Sequence, residues 1–525
     1  MRVTVDGVDV HEETYLDSLV LMAATVRMDG LDGVEWAGAV MASPSGLADL
    51  AAAGFTGPEL HGLGANDFVL AVRAVDEDVL AAALAAGRAA AFAAEQVEAS
   101  GAASGRAAAP PRSVREAVGR LDGANVAVVS VPGPFAALEA HHALSAGLHV
   151  LLFSDGVPLD EEIELKQRGA ERGLLVMGPG AGTAVLGGTG LGFANVLRTA
   201  GDGSSRGAVG VVAAAGTGAQ EVSALLSRWG VPVSHVVGVG GRDLCEAVEG
   251  RMAQLAVRAL TGDPDTSAVL LVSKPPAPSS AQAVLAECTG TPGVAVFLGL
   301  EHAALPAGVT SAPTLEAGAW AAAELVGVVP PPLTGGLRER VAQAAGRLGP
   351  ERVRVQGLFS GGTLCYEAQL ILERRLGPVH SNEPLRKECG LPAPDGAHVL
   401  LDLGAEEYTR GVPHPMIDLT TRLDLLRRQA DDPALAVALL DVVLGHGSAD
   451  DPAGQLAPVC AELMVGDGPQ VVAYVLGTED DPQVYSRQRA ALEEVGCLVA
   501  ETNARAAHAA AALALRRPEL VECGR

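Results

Sequence analysis

Aromatic side chains are scarce in this chain, at 3% of its 525 residues, and basic ones are outnumbered, 37 Lys and Arg standing against 63 Asp and Glu. A net charge of -26 repels nucleic acid and anionic membrane surfaces, which excludes both as partners. The seven cysteines, Cys245, Cys288, Cys365, Cys389, Cys460, Cys497 and Cys523, are scattered, odd in number and form no CxxC pair. That usage fits reduced thiols in a cytoplasm and argues against structural zinc, so no metal is expected. The first residues, MRVTVDGVDVHEET, lack the apolar core of a secretory signal. Apolar runs such as Ala81–Ala94 are broken by Gly87 and Arg88, and no transmembrane span is expected. The dinucleotide fingerprint G-x-G-x-x-G is missing from the first strand-to-helix turn of the middle region, where Pro132-Gly133-Pro134-Phe135 stands, which disfavours NAD and FAD.

What the chain has in abundance is Ala, Gly, Val and Leu, the composition of short strands covered by smooth helices, an α/β protein. At roughly 150 residues per domain the length suits three or four domains. Two stretches share one plan. Val209–Leu226 runs apolar strand, Gly216-Thr217-Gly218 turn, amphipathic helix; Val353–Leu372 repeats it around Ser360-Gly361-Gly362-Thr363. A helix start carries unpaired N–H groups and a partial positive charge, and glycine lets an anion approach the backbone. Both turns are therefore candidate phosphate seats, in which Thr217 and Thr363 donate to phosphate, cap their helices, or both.

Taken in order, residues 1–98 form a small α+β module, with strands Val34–Met41 and Phe68–Ala74 and helical patterning over Tyr15–Arg27 and Asp76–Val97. A flexible Ala/Gly/Ser linker, Ala99–Arg112, follows. Residues 113–200 alternate strands (Val126–Val131, His149–Phe153, Leu174–Met177) with helices (Phe135–Ala146, Leu159–Arg172), a parallel Rossmann-like sheet that ends in the loop Gly178-Pro179-Gly180-Ala181-Gly182. Residues 207–327 and 337–525 repeat one plan: Asp263–Pro276 has its counterpart in Asp432–Gly447, and Val294–Glu301 in Val471–Glu479. Two tandem flavodoxin-like domains joined by the Pro/Gly hinge Val328–Gly336 are the economical reading.

Single residues keep two readings. His446, in Leu444-Gly445-His446-Gly447, is a base or phosphohistidine mimic, or an exposed loop histidine. Arg242 with Asp243, after Gly240-Gly241, binds substrate or forms a local ion pair. Lys274 meets a phosphate oxygen or is simply solvated at a strand end. Cys365 in the first helical turn is a thiol activated by the helix dipole or a buried structural one. His414 to Asp418 with Arg422 is a substrate loop, or Asp418 is only a helix cap.

The strings VSVPGPFAALEAHHALSAGLHVLLFSDGVP, GPGAGTA and AAAGTGAQE with GVGGRD resemble the α subunit of succinyl-CoA synthetase, and FSGGTLCYEAQLIL, LLDVVLGHG and VVAYVLGTEDDP resemble the ligase domain of its β subunit. Fused in this order behind a small module, they resemble the FdrA family of acyl-CoA synthetase-like proteins. The resemblance implies that Gly216, Thr217 and Gly218 converge with Ser360, Gly361, Gly362 and Thr363 on one phosphoryl group, with Gly240 and Gly241 beside them. It also implies a coenzyme A loop at Pro132, Gly133, Pro134, Gly178 and Pro179, although the polar side chains of that loop are replaced here by Gly180 and Ala181. Where the synthetase carries its phosphorylated histidine between glycines, this chain reads LGLEHAALPAG, with His302 nearby; the ATP-grasp domain is missing and no P-loop replaces it.

A chain that keeps the phosphate cradle without the nucleotide machinery is expected to act on a pre-formed acyl or carbamoyl phosphate. With the family's link to oxamate carbamoyltransferase and its separately encoded partner subunits, this makes a carbamoyltransferase subunit the leading expectation, with His446, Arg242 and Lys274 as catalytic candidates. An acyl-CoA synthetase subunit and a non-catalytic scaffold are the alternatives.

Overall fold

The computed structural model describes residues 4–16, 18–92, 110–199, 207–300, 304–332, 336–409 and 412–522. Most of the expected linker, part of the hinge, His302 and Cys523 lie outside these residues. The chain divides into two compact units, Met1–Arg120 with Ser130–Pro132 and Thr409–Pro413, and the remainder.

In the first unit β1 (Val5–His11), α1 (Ser18–Asp29), β2 (Val34–Met41), α2 (Pro44–Ala52), β3 (Phe68–Ala74) and α3 (Glu77–Ala91) are followed by a short helix, α4 (Val114–Arg120). The three strands form an antiparallel sheet in the order β1-β3-β2. β3 is apolar on both faces because both are covered: Phe68, Leu70 and Val72 pack with Ala24, Met28 and Ala83, while Val69 and Ala71 pack with Leu50 and Phe55. The acidic start of α3 works as a cap, Asp76 accepting the N–H of Val79 at 2.9 Å.

The second unit holds three sheets. β4 (Val126–Val129), β5 (His149–Leu152) and β6 (Val176–Met177) make a small parallel sheet, connected through α5 (Gly133–Ser145) and α6 (Leu159–Arg172). The expected alternation is present, with the outer strands shorter than their apolar runs. The loop after β6 then turns into a hairpin, β7 (Thr183–Leu186) and β8 (Thr189–Gly192), which joins the next sheet instead.

That seven-stranded sheet continues with β9 (Ala208–Ala214), α7 (Gly216–Arg228), β10 (Val233–Gly238), α8 (Arg251–Thr261), β11 (Thr266–Ser273), α9 (Pro278–Ala286), β12 (Gly293–Phe297), β13 (Val309–Ser311) and α10 (Leu315–Leu325). Its order is β13-β12-β11-β9-β10-β7-β8. Every residue of β9 is buried, as an unbroken apolar run in a parallel strand covered on both faces should be.

After α11 (Leu337–Ala345) comes a wholly parallel six-stranded sheet, built from β14 (Arg354–Phe359), α12 (Gly362–Leu376), β15 (Val379–His380), β16 (His398–Asp402), α13 (Glu406–Thr409), α14 (Thr420–Arg428), β17 (Leu435–Val443), α15 (Pro452–Leu463), β18 (Gln470–Leu476), α16 (Tyr485–Glu494), β19 (Leu498–Ala500) and α17 (Asn503–Leu515). Its order is β15-β16-β14-β17-β18-β19. One apolar core crosses both large sheets, joining Leu225 and Leu226 of α7, Leu364 and Ala368 of α12, and the alanines of α17.

Candidate functional site

In an open α/β sheet a crevice opens where successive connections leave a strand toward opposite sides, at the carboxyl ends of the two strands concerned. Here those places are the ends of β9 and β11 in one sheet and of β14 and β17 in the other. The first carries Gly216-Thr217-Gly218 and Lys274; the second carries Ser360-Gly361 and, on β17, Asp441.

The structure brings the two turns together. Thr217 Oγ1 accepts the backbone N–H of Thr363 at 3.3 Å, so a hydroxyl at the start of α7 caps the start of α12. The approach needs glycine on both sides. A Cβ on Gly361 would stand 2.9 Å from the Thr217 side chain, and one on Gly218 would stand 2.9 Å from Thr363 Cγ2 and 3.0 Å from Val272.

The two ends differ in what their amides do. At α7 the first intrahelical bond comes from Ala219, and the N–H groups of Gly216, Thr217 and Gly218 have no partner among the described residues. Gly216 is exposed and a side chain placed on it would meet open space. At α12, Asp441 accepts the N–H of Ser360 at 2.9 Å through Oδ1 and that of Gly361 at 2.7 Å through Oδ2, while Ser360 Oγ donates to Oδ1 at 2.9 Å. In the second turn a carboxylate of the chain thus holds the Ser360 and Gly361 amides and Thr217 holds that of Thr363, while the Gly362 N–H, the counterpart of Gly216, has no partner among the described residues.

Asp441 is fully buried and is balanced by Arg422, equally buried, whose Nη2 lies 2.9 Å from Oδ1 and donates at 2.7 Å to the Leu358 carbonyl. Arg422 thus serves this ion pair, and Asp418 accepts from Thr420 in a local turn; neither forms part of an open substrate loop. Asp402, at the end of β16, lies against Gly362 and accepts the N–H of Gly404 at 3.0 Å. Burial lifts its carboxyl to about 6, opposed by the positive charge of Lys274. Burial also depresses His414, beside Gly404, to about 4, and its Nδ1 accepts the N–H of Met416 at 3.2 Å. The Cys365 thiol is pushed well above its ordinary value by burial, which outweighs any help from the helix end and leaves a structural thiol.

The other expected residues are placed apart from this junction or only partly in it. Lys274 leaves the end of β11 with its ammonium 5.9 Å from the Tyr366 ring of α12. His446 is exposed on the loop after β17, its N–H donating to the Ala194 carbonyl at 3.1 Å. Arg242 is tied to α6, 2.7 Å from Glu162 and donating to the Val157 carbonyl at 2.8 Å, and Asp243 lies 2.9 Å from the buried Lys166, so this pair is a local ion cluster. Gly240 is packed on Gly178: a Cβ there would lie 2.7 Å from the Gly178 carbonyl.

At the carboxyl edge of the small sheet, Pro132 leads into α5, and Gly133 is pressed on the backbone of Asp155 and Gly156. Pro134 follows in the first turn of α5, and the loop carrying Gly178 and Pro179 closes through Gly180, which donates to the Ser154 carbonyl at 3.1 Å. Asp155 stands at this edge, its pKa raised by burial and by Glu406 against the opposing charge of Arg242. Gly133, Gly178 and Gly180 thus lie packed at this edge beside Asp155.

Sequence reasoning missed Asp441, and it also missed the buried acids that join the two large sheets. Glu221 of α7 accepts a hydrogen bond from the Tyr474 hydroxyl, and Glu367 of α12 accepts from Asn503 Nδ2 at 2.7 Å and from the N–H of Leu315 at 2.7 Å. Burial lifts these carboxyls to about 8 and about 7. An acid at helical spacing inside an otherwise apolar stripe, as in AQEVSALL, is the signal that was available.

A family model described as CoA-ligase matches residues 358–513, and one described as AllF, heavy metal-associated domain, matches residues 4–109. Over 509 residues the chain is 35% identical to the uncharacterized protein YahF of Escherichia coli strain K12, covering 94% of this chain and 96% of that one. It is 34% identical over 164 residues to subunit alpha 2 of the ADP-forming succinate–CoA ligase of Archaeoglobus fulgidus, covering 31% of this chain and 54% of that subunit. The matched stretch therefore spans about half the length of that relative. The dinucleotide-forming acetyl-coenzyme A synthetase 1 of Ca. Korarchaeum cryptofilum aligns over 78% of this chain and 87% of its own at 16% identity, with a TM-score of 0.32, too low to carry weight. A heavy metal needs thiolate or imidazole donors. Residues 4–109 contain no cysteine, and the described residues hold no group of three or more His, Cys, Asp or Glu able to bind a metal. His11 instead stacks on Phe68 at 5.5 Å and pairs with Asp9. The residues of this module do not fit the metal that its family description implies.

Proposed function

The chain belongs to the FdrA family of acyl-CoA synthetase-like proteins, and on that premise we propose that it is a ligase-type subunit that seats an acyl phosphate at the amino end of α7. The observation that carries this reading is the state of the Gly216, Thr217 and Gly218 amides: unpartnered, at the positive end of a helix, with Gly216 open to solvent. As the acyl–oxygen bond breaks, the charge that returns to the phosphate meets N–H dipoles already oriented toward it. Lys274, just after the neighbouring strand β11, brings positive charge toward α12, where it lies 5.9 Å from the Tyr366 ring and opposes the rise of the Asp402 carboxyl.

The succinate–CoA ligase subunit named above acts in CoA ligation by name, and a CoA-ligase family model matches residues 358–513, so the ligase reading takes precedence over carbamoyl transfer. Carbamoyl phosphate is itself an acyl phosphate and belongs in the same assay. The test is calorimetric titration of the full chain with inorganic phosphate, acetyl phosphate and carbamoyl phosphate, repeated on Gly216→Asp. The new side chain has room and its charge suits a helix start, so the variant keeps or gains thermal stability while phosphate binding disappears. Undiminished binding in a folded Gly216→Asp variant would remove the seat from α7.

A further inference from the structure

We infer that a cavity on the seam between the two large sheets binds a short aliphatic carboxylate, at a site that is separate from the seat on α7 and does not depend on it. The cavity holds about 220 Å3. A cavity of about 150 Å3 takes benzene, and drug-sized ligands need roughly 300–1,000 Å3, so this one suits a chain of about four to six carbons. One wall is a single face of α12, where Glu367, Leu370, Ile371 and Arg374 recur at helical spacing. The opposite wall belongs to the seven-stranded sheet: Phe297, Gly299 and Leu300 at the end of β12, and the stretch from Ser311 to Thr314 that leads from β13 into α10. Gly299, at a φ of +82°, lets the strand end come close to the helix, since a Cβ there would stand 3.3 Å from Tyr366 Oη and 3.8 Å from Leu370 Cδ2.

Most of the lining is apolar, from Phe297, Leu300, Pro313, Leu370 and Ile371, and the polar side chains it offers are donors. Thr314 Oγ1 accepts the N–H of Ala317 at 3.1 Å, which leaves the hydroxyl proton to be given. Ser311 and Arg374 are exposed. The guanidinium carries five N–H donors in a planar fork, enough to hold a carboxylate beside a neighbour of its own. The one carboxylate of the lining, Glu367, is 1% exposed and is occupied by the chain: Oε1 accepts the N–H of Leu315 and Oε2 the Asn503 amide, both at 2.7 Å. Burial lifts this acid to about 7, so near neutral pH it repels an incoming anion less than an exposed acid would. An apolar body with an acceptor head therefore matches both walls. A cation would face Arg374, and bare phosphate would leave the apolar surface unused. Because the walls come from different sheets, the ligand ties them together, as the Leu315–Glu367 hydrogen bond already does.

The test is calorimetric titration of the full chain with acetate, butyrate, hexanoate and hexanamide. Hexanoate is expected to bind one to one, each added methylene tightening binding about fourfold up to that length. Hexanamide, which has the same chain without the charge, is expected to bind about tenfold more weakly. Arg374→Gln loses about tenfold for hexanoate and nothing for hexanamide, while Arg375→Gln, an exposed neighbour outside the lining, keeps wild-type affinity. Ala312→Leu fills the cavity and abolishes binding of both. Equal affinity for hexanoate and hexanamide would overturn the carboxylate assignment. Absence of hexanoate binding by the wild type, or wild-type affinity in Arg374→Gln or in a folded Ala312→Leu, would overturn the site. If Ala312→Leu does not fold, Arg374→Gln, a change at an exposed position, decides alone. Gly216→Asp keeps the two proposals apart: it should bind hexanoate at full strength whether or not the phosphate seat exists, and loss of hexanoate binding in that folded variant would overturn the independence of the cavity.

Discussion

At the scale of single residues, the molecule's chemistry is set by where buried carboxylates find their partners. Asp441 and Arg422 are both sealed from water, and a buried charge deprived of its partner is costly, so Asp441→Ala should lose about 3–5 kcal/mol by denaturant unfolding. Glu221 gives a pH signature. Burial first of all, with Glu367 adding, raises its folded-state pKa from 4.5 to about 8, against the opposing pull of Tyr474, Arg228 and the Asn503 N–H. A raised folded pKa means that the native state binds the proton more tightly than the unfolded chain does. The contribution is thus complete below about pH 4.5 and is lost as pH rises toward 8. Glu221→Gln should flatten that part of the stability profile measured between pH 5 and pH 9; an unchanged slope would show that the carboxyl does not titrate there. None of this was readable in advance. In LLDVV, Asp441 looks like one polar residue on a strand, and its partners Arg422 and Ser360 lie 19 and 81 residues away, brought close only by the order of the strands.

At the scale of elements, the two strand-to-helix turns were legible because their signal is local: an apolar run, then Gly with Ser or Thr, then helical periodicity. Their convergence followed from a family resemblance and not from spacing. The sequence could not say that the Ser360 and Gly361 amides are taken, since that depends on Asp441, a residue from a different strand. The hairpin β7–β8 was lost inside a glycine-rich loop for a similar reason: its pairing partner, β10, lies about fifty residues further on, with Val185 opposite Val236. The contact between α7 and α12 yields its own prediction. A methyl group on Gly218 would press on Thr363 Cγ2 at 2.9 Å and Val272 at 3.0 Å, so Gly218→Ala should cost about 1–3 kcal/mol by urea unfolding despite alanine's better helix propensity. A neutral or stabilising result would show that the two helix ends are not in tight contact.

At the scale of the whole molecule, the seven-stranded and six-stranded sheets share one apolar core and are cross-linked by buried polar contacts: Glu221 with Tyr474, Glu367 with Asn503, Arg505 with Glu316 at 2.7 Å, and Asn195 with Asp481 at 2.8 Å. Composition announced an α/β protein, and the alternation of strands and helices announced its parallel sheets. It could not announce that Asp155 and tightly packed glycines would meet at the carboxyl edge of the small sheet. The functional reading therefore comes down to one anion on one helix end. The most direct measurement is a crystal structure of the full chain grown with a non-hydrolysable acyl phosphate analogue. Phosphorus within hydrogen-bonding reach of the Gly216 and Thr217 amides, with Asp441 still bound to Ser360 and Gly361, is the expected result. Phosphorus seated on Ser360 to Thr363 with Asp441 turned aside, or bound nowhere near either turn, would contradict it.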